Sequence, residues 1–138
     1  MTYMYPLFIE KSMFKFLLIT HGNLGQSLVE CVENNLQKNC QNIIDIISLN
    51  ALDIDFSRKE LDTYVKKNKN FDIIILTDLY GASSSNIVKK HTSDENIYAI
   101  SGLNLPMLMK AVTLKTDDIQ MMVDEIIKCG NKSIINFL

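Results

Sequence analysis

An unbroken apolar run, Phe16-Leu-Leu-Ile-Thr20, stops at His21 and is followed by Gly22. The run is too short for a globular helix and is bounded by a breaker, so it reads as a fully buried strand. A second run, Ile73-Ile-Ile-Leu-Thr77, has the same character and ends at Asp78. The chain must therefore accommodate two central strands, each with a chemically capable side chain at its carboxyl end. In open α/β sheets, ligand and reaction sites collect at such strand ends.

Helix-like and strand-like patterns alternate around these runs. Leu24, Leu28, Cys31, Val32 and Leu36 recur at helical spacing,. Ile43 to Ile47 reads as a strand, and Phe56, Leu61, Tyr64 and Val65 mark the apolar face of a second helix. Its other face carries Arg58, Lys59, Glu60, Asp62 and Lys66. A turn of small residues, Asp78 to Ser85, leads into a helix from about Ser83 to Lys90, and Asn96 to Ser101 forms a fourth strand closed by Gly102. Pro106 suits the first turn of the next helix,. Asp117 or Asp118 caps a last helix running through Cys129, which Gly130 would terminate,. Ser133 to Phe137 reads as a short terminal strand.

The order β-α-β-α-β-α-β-α-α-β argues for a doubly wound, mainly parallel α/β sheet with helices on both faces. Right-handed crossovers and a reversal after the second strand give the order 2-1-3-4. Strands one and three then meet at the switch point, and His21 and Asp78 face one crevice. The last strand has a short lead-in from Gly130. It is expected to pair antiparallel or to join a neighbouring subunit, covering an exposed edge.

A chain of 138 residues fits one domain with a real core,. Residues 13–138 are expected to form it. Residues 1–12 form a leader broken by Pro6 and Glu10, expected to be poorly ordered or, alternatively, to supply an extra strand or a dimer contact. Met13 is a candidate start. A net charge of −2 provides no footprint for nucleic acid,. No apolar run approaches the roughly 18 residues of a membrane span. Cys31, Cys40 and Cys129 show no CxxC spacing, which points to a reduced, cytoplasmic protein without a disulfide framework, zinc site or other metal,. Cys31 and Cys129 fall in helical patterns as small buried thiols.

A histidine beside a carboxylate has a definite chemistry. The carboxylate accepts from Nδ1–H, fixes the tautomer and leaves the Nε2 lone pair exposed. Gly22 and Asn23 open one helix and Ser83 to Ser85 another, and free N–H groups at helix starts can hold phosphate oxygens,. Small residues at Gly81 and Ala82 allow close backbone approach. Together they suggest phosphorylation of His21, with Asp78 as its orienter. Met107, Met109, Met121 and Met122 read as packing residues, and His91 as a helix-end cation complementing the dipole,.

These residues resemble the enzyme IIA domain of the mannose family in the bacterial phosphoenolpyruvate-dependent sugar phosphotransferase system. The likeness rests on Leu18-Ile-Thr-His21-Gly22, Asp78-Leu-Tyr-Gly-Ala-Ser-Ser-Ser-Asn86 and Gly102-Leu-Asn-Leu-Pro-Met-Leu108. It covers about Met13 to the end. It implies that His21 is phosphorylated by the phosphocarrier protein HPr and passes the group to an enzyme IIB partner, and through it to membrane subunits IIC and IID. Ser83 and nearby backbone would hold the phosphoryl group, with Thr20 and Asn104 beside the site. It also implies a homodimer with an exchanged carboxyl-terminal strand, and no cofactor. Two residues depart from the family pattern: Ala82 stands for a glycine and Ser84 for a proline, a loss expected to loosen the turn. The rival readings are the phosphotransferase subunit of dihydroxyacetone kinase and a non-catalytic α/β binding module. A receiver phosphorylated on Asp78 is disfavoured, because Thr20-His21-Gly22 replaces the acidic residues that would bind magnesium,.

Overall fold

The computed structural model describes residues 14–81 and 83–138, with Ser83 described by its backbone alone. The leader and Ala82 lie outside the described residues. The elements run β1 (Phe14–His21), α1 (Leu24–Leu36), β2 (Ile44–Leu49), α2 (Ile54–Lys67), β3 (Asp72–Thr77), α3 (Ser83–Lys89), β4 (Ile97–Ser101), α4 (Leu105–Thr113) and α5 (Ile119–Lys132). The four strands form one parallel sheet in the order β2-β1-β3-β4, as the alternation of patterns requires.

The two apolar runs are the centre of this sheet because each buries both of its faces. Phe16 and Leu18 of β1, with Ile74 and Leu76 of β3, pack against Val32 of α1, Leu108 of α4 and Met122 and Ile126 of α5. Leu17 and Ile19, with Ile73 and Ile75, turn the other way onto Leu61 of α2 and Ile87 and Val88 of α3. Period-two alternation thus feeds two cores at once. Fully burying each such side chain is worth about 1.5–3 kcal/mol.

Local capping chemistry sets most helix starts. Asp53 Oδ1 accepts from the Phe56 N–H at 3.1 Å, Asn104 Oδ1 from Met107 at 3.1 Å and Asp118 Oδ1 from Met121 at 3.1 Å,. Pro106 occupies the first turn of α4, and Asp118 rather than Asp117 caps α5.

Several expectations change on folding. Gly130 does not end α5, which continues to Lys132. A Cβ at Gly130 would lie 2.6 Å from Met107 Cγ, so the glycine serves close packing of α5 on α4. Phe56 is 60% exposed, while Leu61, Tyr64 and Val65 of the expected face do pack inward, joined by the buried Ser57. Cys31 is exposed and Met121 half-exposed. Residues 134–138 form no strand within the single chain, and Ile134, Ile135 and Phe137 stand in solvent.

Candidate functional site

Sheet register brings the two strand-end side chains together. Ile19 of β1 pairs with Thr77 of β3, so His21 and Asp78 emerge from neighbouring strands at the same end. The Asp78 carboxylate accepts from the His21 backbone N–H at 2.8 Å and faces His21 Nδ1 at 2.9 Å through Oδ2 and 3.2 Å through Oδ1. An ionised carboxylate can only accept, so the ring proton sits on Nδ1 and the Nε2 lone pair is left over. Among the described residues, no hydrogen bond engages Nε2. The His21 side chain is 42% exposed while that of Asp78 is 11% exposed. The carboxylate is thus held in the protein and the ring presented to solvent.

Burial by itself would raise the Asp78 carboxyl. The His21 N–H, the ring hydrogen bond and the ring's charge outweigh that and hold it below the ordinary carboxylate range,. Asp78 is therefore ionised throughout the neutral range, and an ionised carboxylate there can stabilise positive charge on the imidazole,.

The loops around the pair are built by small residues and hydroxyls. Gly22 and Gly81 have φ of +54° and +81°, a left-handed turn that other side chains rarely adopt,. Thr20, wholly buried at the end of β1, accepts from the Gly25 N–H at 2.9 Å and so satisfies a first-turn donor of α1,. Asn23 stands at the cap position without a side-chain cap bond. Thr77 donates to Ser101 Oγ at 3.0 Å, and the Leu103 N–H donates to Thr77 O at 3.0 Å, tying the ends of β3 and β4.

The turn after Asp78 is tied as well. Ser84 Oγ donates to Leu79 O at 3.1 Å, and the Gly81 N–H donates to Ser85 Oγ at 3.0 Å. Ser84 thus binds a turn that the absence of proline was expected to loosen. Of the expected site, the structure brings together His21 and Asp78, with Gly22 and Gly81 in the loops that leave the two strand ends. Ala82 and the Ser83 side chain lie outside the described residues. Asn104 caps α4, and its Nδ2 lies 3.5 Å from Ser133 Oγ. Sequence reading missed the capping by Thr20, the close approach at Gly25 and the two serine ties. The available signals were a hydroxyl ending a buried strand and a serine pair directly after the turn.

His91 lies at the end of α3, as expected, and it is held there by a partner. It is 8% exposed, beyond the last turn of α3, and its Nε2 lies 2.8 Å from Asp62 of α2.

Fold and site together define an α/β domain with a carboxylate-tethered histidine at the switch point of a 2-1-3-4 sheet. The sequence model of one family, described as "PTS system fructose IIA component", matches residues 15–128, and the chain belongs to this family of phosphotransferase-system IIA components. No curated protein matches the chain. Among solved structures, the phosphotransferase system component EIIA from Streptococcus agalactiae is 27% identical, with a TM-score of 0.76 over 90% of this chain and 97% of that one. The mannose/sorbose specific IIA subunit from Enterococcus faecalis gives a TM-score of 0.82 at 18% identity, over 90% and 94%. The PTS IIA protein associated with the fucose utilization operon of Streptococcus pneumoniae gives 0.73 at 18%, over 89% and 92%. At such identities the last two speak for the fold alone. No helix among the described residues is long and apolar enough to cross a membrane.

Proposed function

We propose that the chain is a cytoplasmic phosphoryl carrier that accepts phosphate from phospho-HPr on His21 and passes it to an enzyme IIB partner. The observation that carries the reading is the asymmetric use of the imidazole: Nδ1 is tethered to Asp78 at 2.9 Å, and the ring, 42% exposed, keeps Nε2 without a hydrogen bond among the described residues. In the transfer, the Nε2 lone pair attacks phosphorus in line. The bond from phosphorus to the donor's nitrogen breaks, and its electron pair returns to the donor ring. Positive charge developing on the His21 ring is stabilised by the Asp78 carboxylate.

The phosphoryl oxygens would be met by backbone donors opening α1 beside Gly22, and by Ala82 and Ser83. Gly81 contributes its bare Cα, since its N–H is engaged by Ser85. Thr20 holds the first turn of α1 in place from beneath. The acceptor partner would feed membrane IIC and IID subunits in sugar uptake, or a regulatory relay. The exposed apolar tail, residues 134–138, is proposed to exchange with a second copy as an added strand, giving a homodimer,.

Intact-mass measurement after incubation with phosphoenolpyruvate, enzyme I and HPr tests the assignment. Wild type is expected to gain one acid-labile phosphate of about 80 Da, and His21→Ala none. Equal labelling of the histidine variant would overturn the reading, and subsequent loss of label to enzyme IIB would complete it.

A further inference from the structure

We propose that Ser84 and Ser85 are positioning residues, whose buried hydroxyls brace the Asp78–Gly81 turn and thereby hold Asp78 on His21. This rests on His21 being the phosphoryl acceptor, and the experiment below separates the two.

Among the described residues the turn has little else to hold it. Leu79 and Tyr80 are 58% and 72% exposed, and Gly81 occupies a left-handed conformation open to solvent. The two serines that follow are the opposite: Ser84 is wholly buried and Ser85 is 7% exposed. A serine inside a helix commonly returns its hydroxyl to a carbonyl of its own helix. Here the Ser84 hydroxyl reaches back to Leu79 O at 3.1 Å, and the Ser85 hydroxyl receives the Gly81 N–H at 3.0 Å. Both partners lie outside α3. The hydroxyls therefore tie the first turn of the helix to the chain leaving β3 and set the distance between them.

Asp78 depends on that distance. Its carboxylate meets two groups of His21, the backbone N–H at 2.8 Å and Nδ1 at 2.9 Å, which requires one particular exit direction from β3. On the other flank the exit is fixed by β3 pairing and by Leu103 N–H on Thr77 O. The serine pair supplies the second anchor, on the far side of Asp78. If Leu79 to Gly81 swing free, the carboxylate follows, the Nδ1 proton loses its fixed acceptor, and Nε2 spends less time as the lone-pair nitrogen.

Ser84→Ala removes one tie. Ser84→Pro removes the same hydroxyl and stiffens the turn by another route: the first turn of a helix tolerates proline, and the ring fixes φ. Three readouts decide. They are kcat and KM for phosphate transfer from phospho-HPr, hydrogen exchange at the Gly81 amide, and the His21 tautomer from 15N shifts. Ser84→Ala is expected to lower kcat about tenfold, the worth of one net hydrogen bond, with KM for HPr within about twofold. Its Gly81 amide should exchange faster, and Ser84→Pro should recover most of the lost kcat.

A folded Ser84→Ala with unchanged kcat would overturn the proposal, as would a folded Ser84→Pro no faster than the alanine variant. Should Ser84→Ala fail to fold, Ser85→Ala, which removes only the acceptor of Gly81 N–H, is judged by the same kcat and exchange criteria. Should wild type take no phosphate from HPr, the carrier reading fails by itself. Gly81 exchange and the His21 tautomer then decide the bracing, and values unchanged in Ser84→Ala would overturn it.

Discussion

The two histidines of this chain are each paired to an aspartate at under 3 Å, yet the pairings do opposite things. His91 spends Nε2 on Asp62 and is buried, with Asp94 3.9 Å from its other nitrogen; it ties the segment after α3 to α2. His21 spends Nδ1 and keeps Nε2. The two pairings thus differ in which ring nitrogen is consumed, and only the His21 pairing leaves Nε2 for the proposed transfer. Asp78 carries the testable consequence. On the proposed transfer, replacing it by Asn removes the charge that would stabilise the developing imidazolium, so transfer should fall about ten- to a hundredfold, with far-UV dichroism unchanged. The folded-state pKa of Asp78 lies below its unfolded value. The stabilisation is therefore present above about pH 4, near the unfolded carboxyl pKa, and is lost as pH falls through the folded value. In urea unfolding, the stability difference between wild type and Asp78→Asn should shrink as pH falls from 6 toward 3; a constant difference would rule out this linkage. None of this pairing is visible from one strand. Reading His21 with Asp78 required the strand order as well as the motif.

At the scale of elements, the site depends on how closely α1 settles onto the sheet. A Cβ built on Gly25 lies 2.7 Å from Thr20 Oγ1 and 3.0 Å from Ile46 Cγ2, a β2 side chain. Gly25→Ala must push α1 away from the ends of β1 and β2 and stretch the Thr20 cap. A loss of about 1–3 kcal/mol is expected from urea titration, since overpacking at a well-packed contact costs that much. A change within about 0.5 kcal/mol, the range of inconsequential substitutions, would show that α1 can re-seat. Periodicity located every helix but not always its buried side. For α2 it favoured Phe56, the largest apolar residue. Leu61, Tyr64 and Val65 of that face do pack inward, but Ser57 takes the buried place in the first turn and leaves Phe56 at the surface. Likewise Gly130 has the composition of a helix stop. The reason it is glycine, Met107 of α4 pressed against its Cα, comes from a helix 23 residues away in sequence,.

For the whole molecule, the open question in the described chain is what covers its tail. Ile134, Ile135 and Phe137 are 84%, 70% and 100% exposed, a run that water should not be left to solvate alone,. If the tail exchanges with a second copy, sedimentation of the intact chain should report twice the mass of one chain. Deleting residues 134–138 should shift it toward the single chain; a monomeric intact protein would overturn the exchange. The sequence by itself determined the α/β class, the parallel order 2-1-3-4 and the meeting of His21 with Asp78 at neighbouring strand ends. Those follow from local patterning: runs buried on both faces, helical periodicity and strand-end residues, which short stretches of chain encode. Only the tertiary structure decided which hydroxyls brace the site, which helix faces are buried, why Gly25 and Gly130 are glycine, and that the tail forms no strand within its own chain. Each of these depends on a contact between segments distant in sequence, and close packing, unlike periodicity, is not written in any one of them.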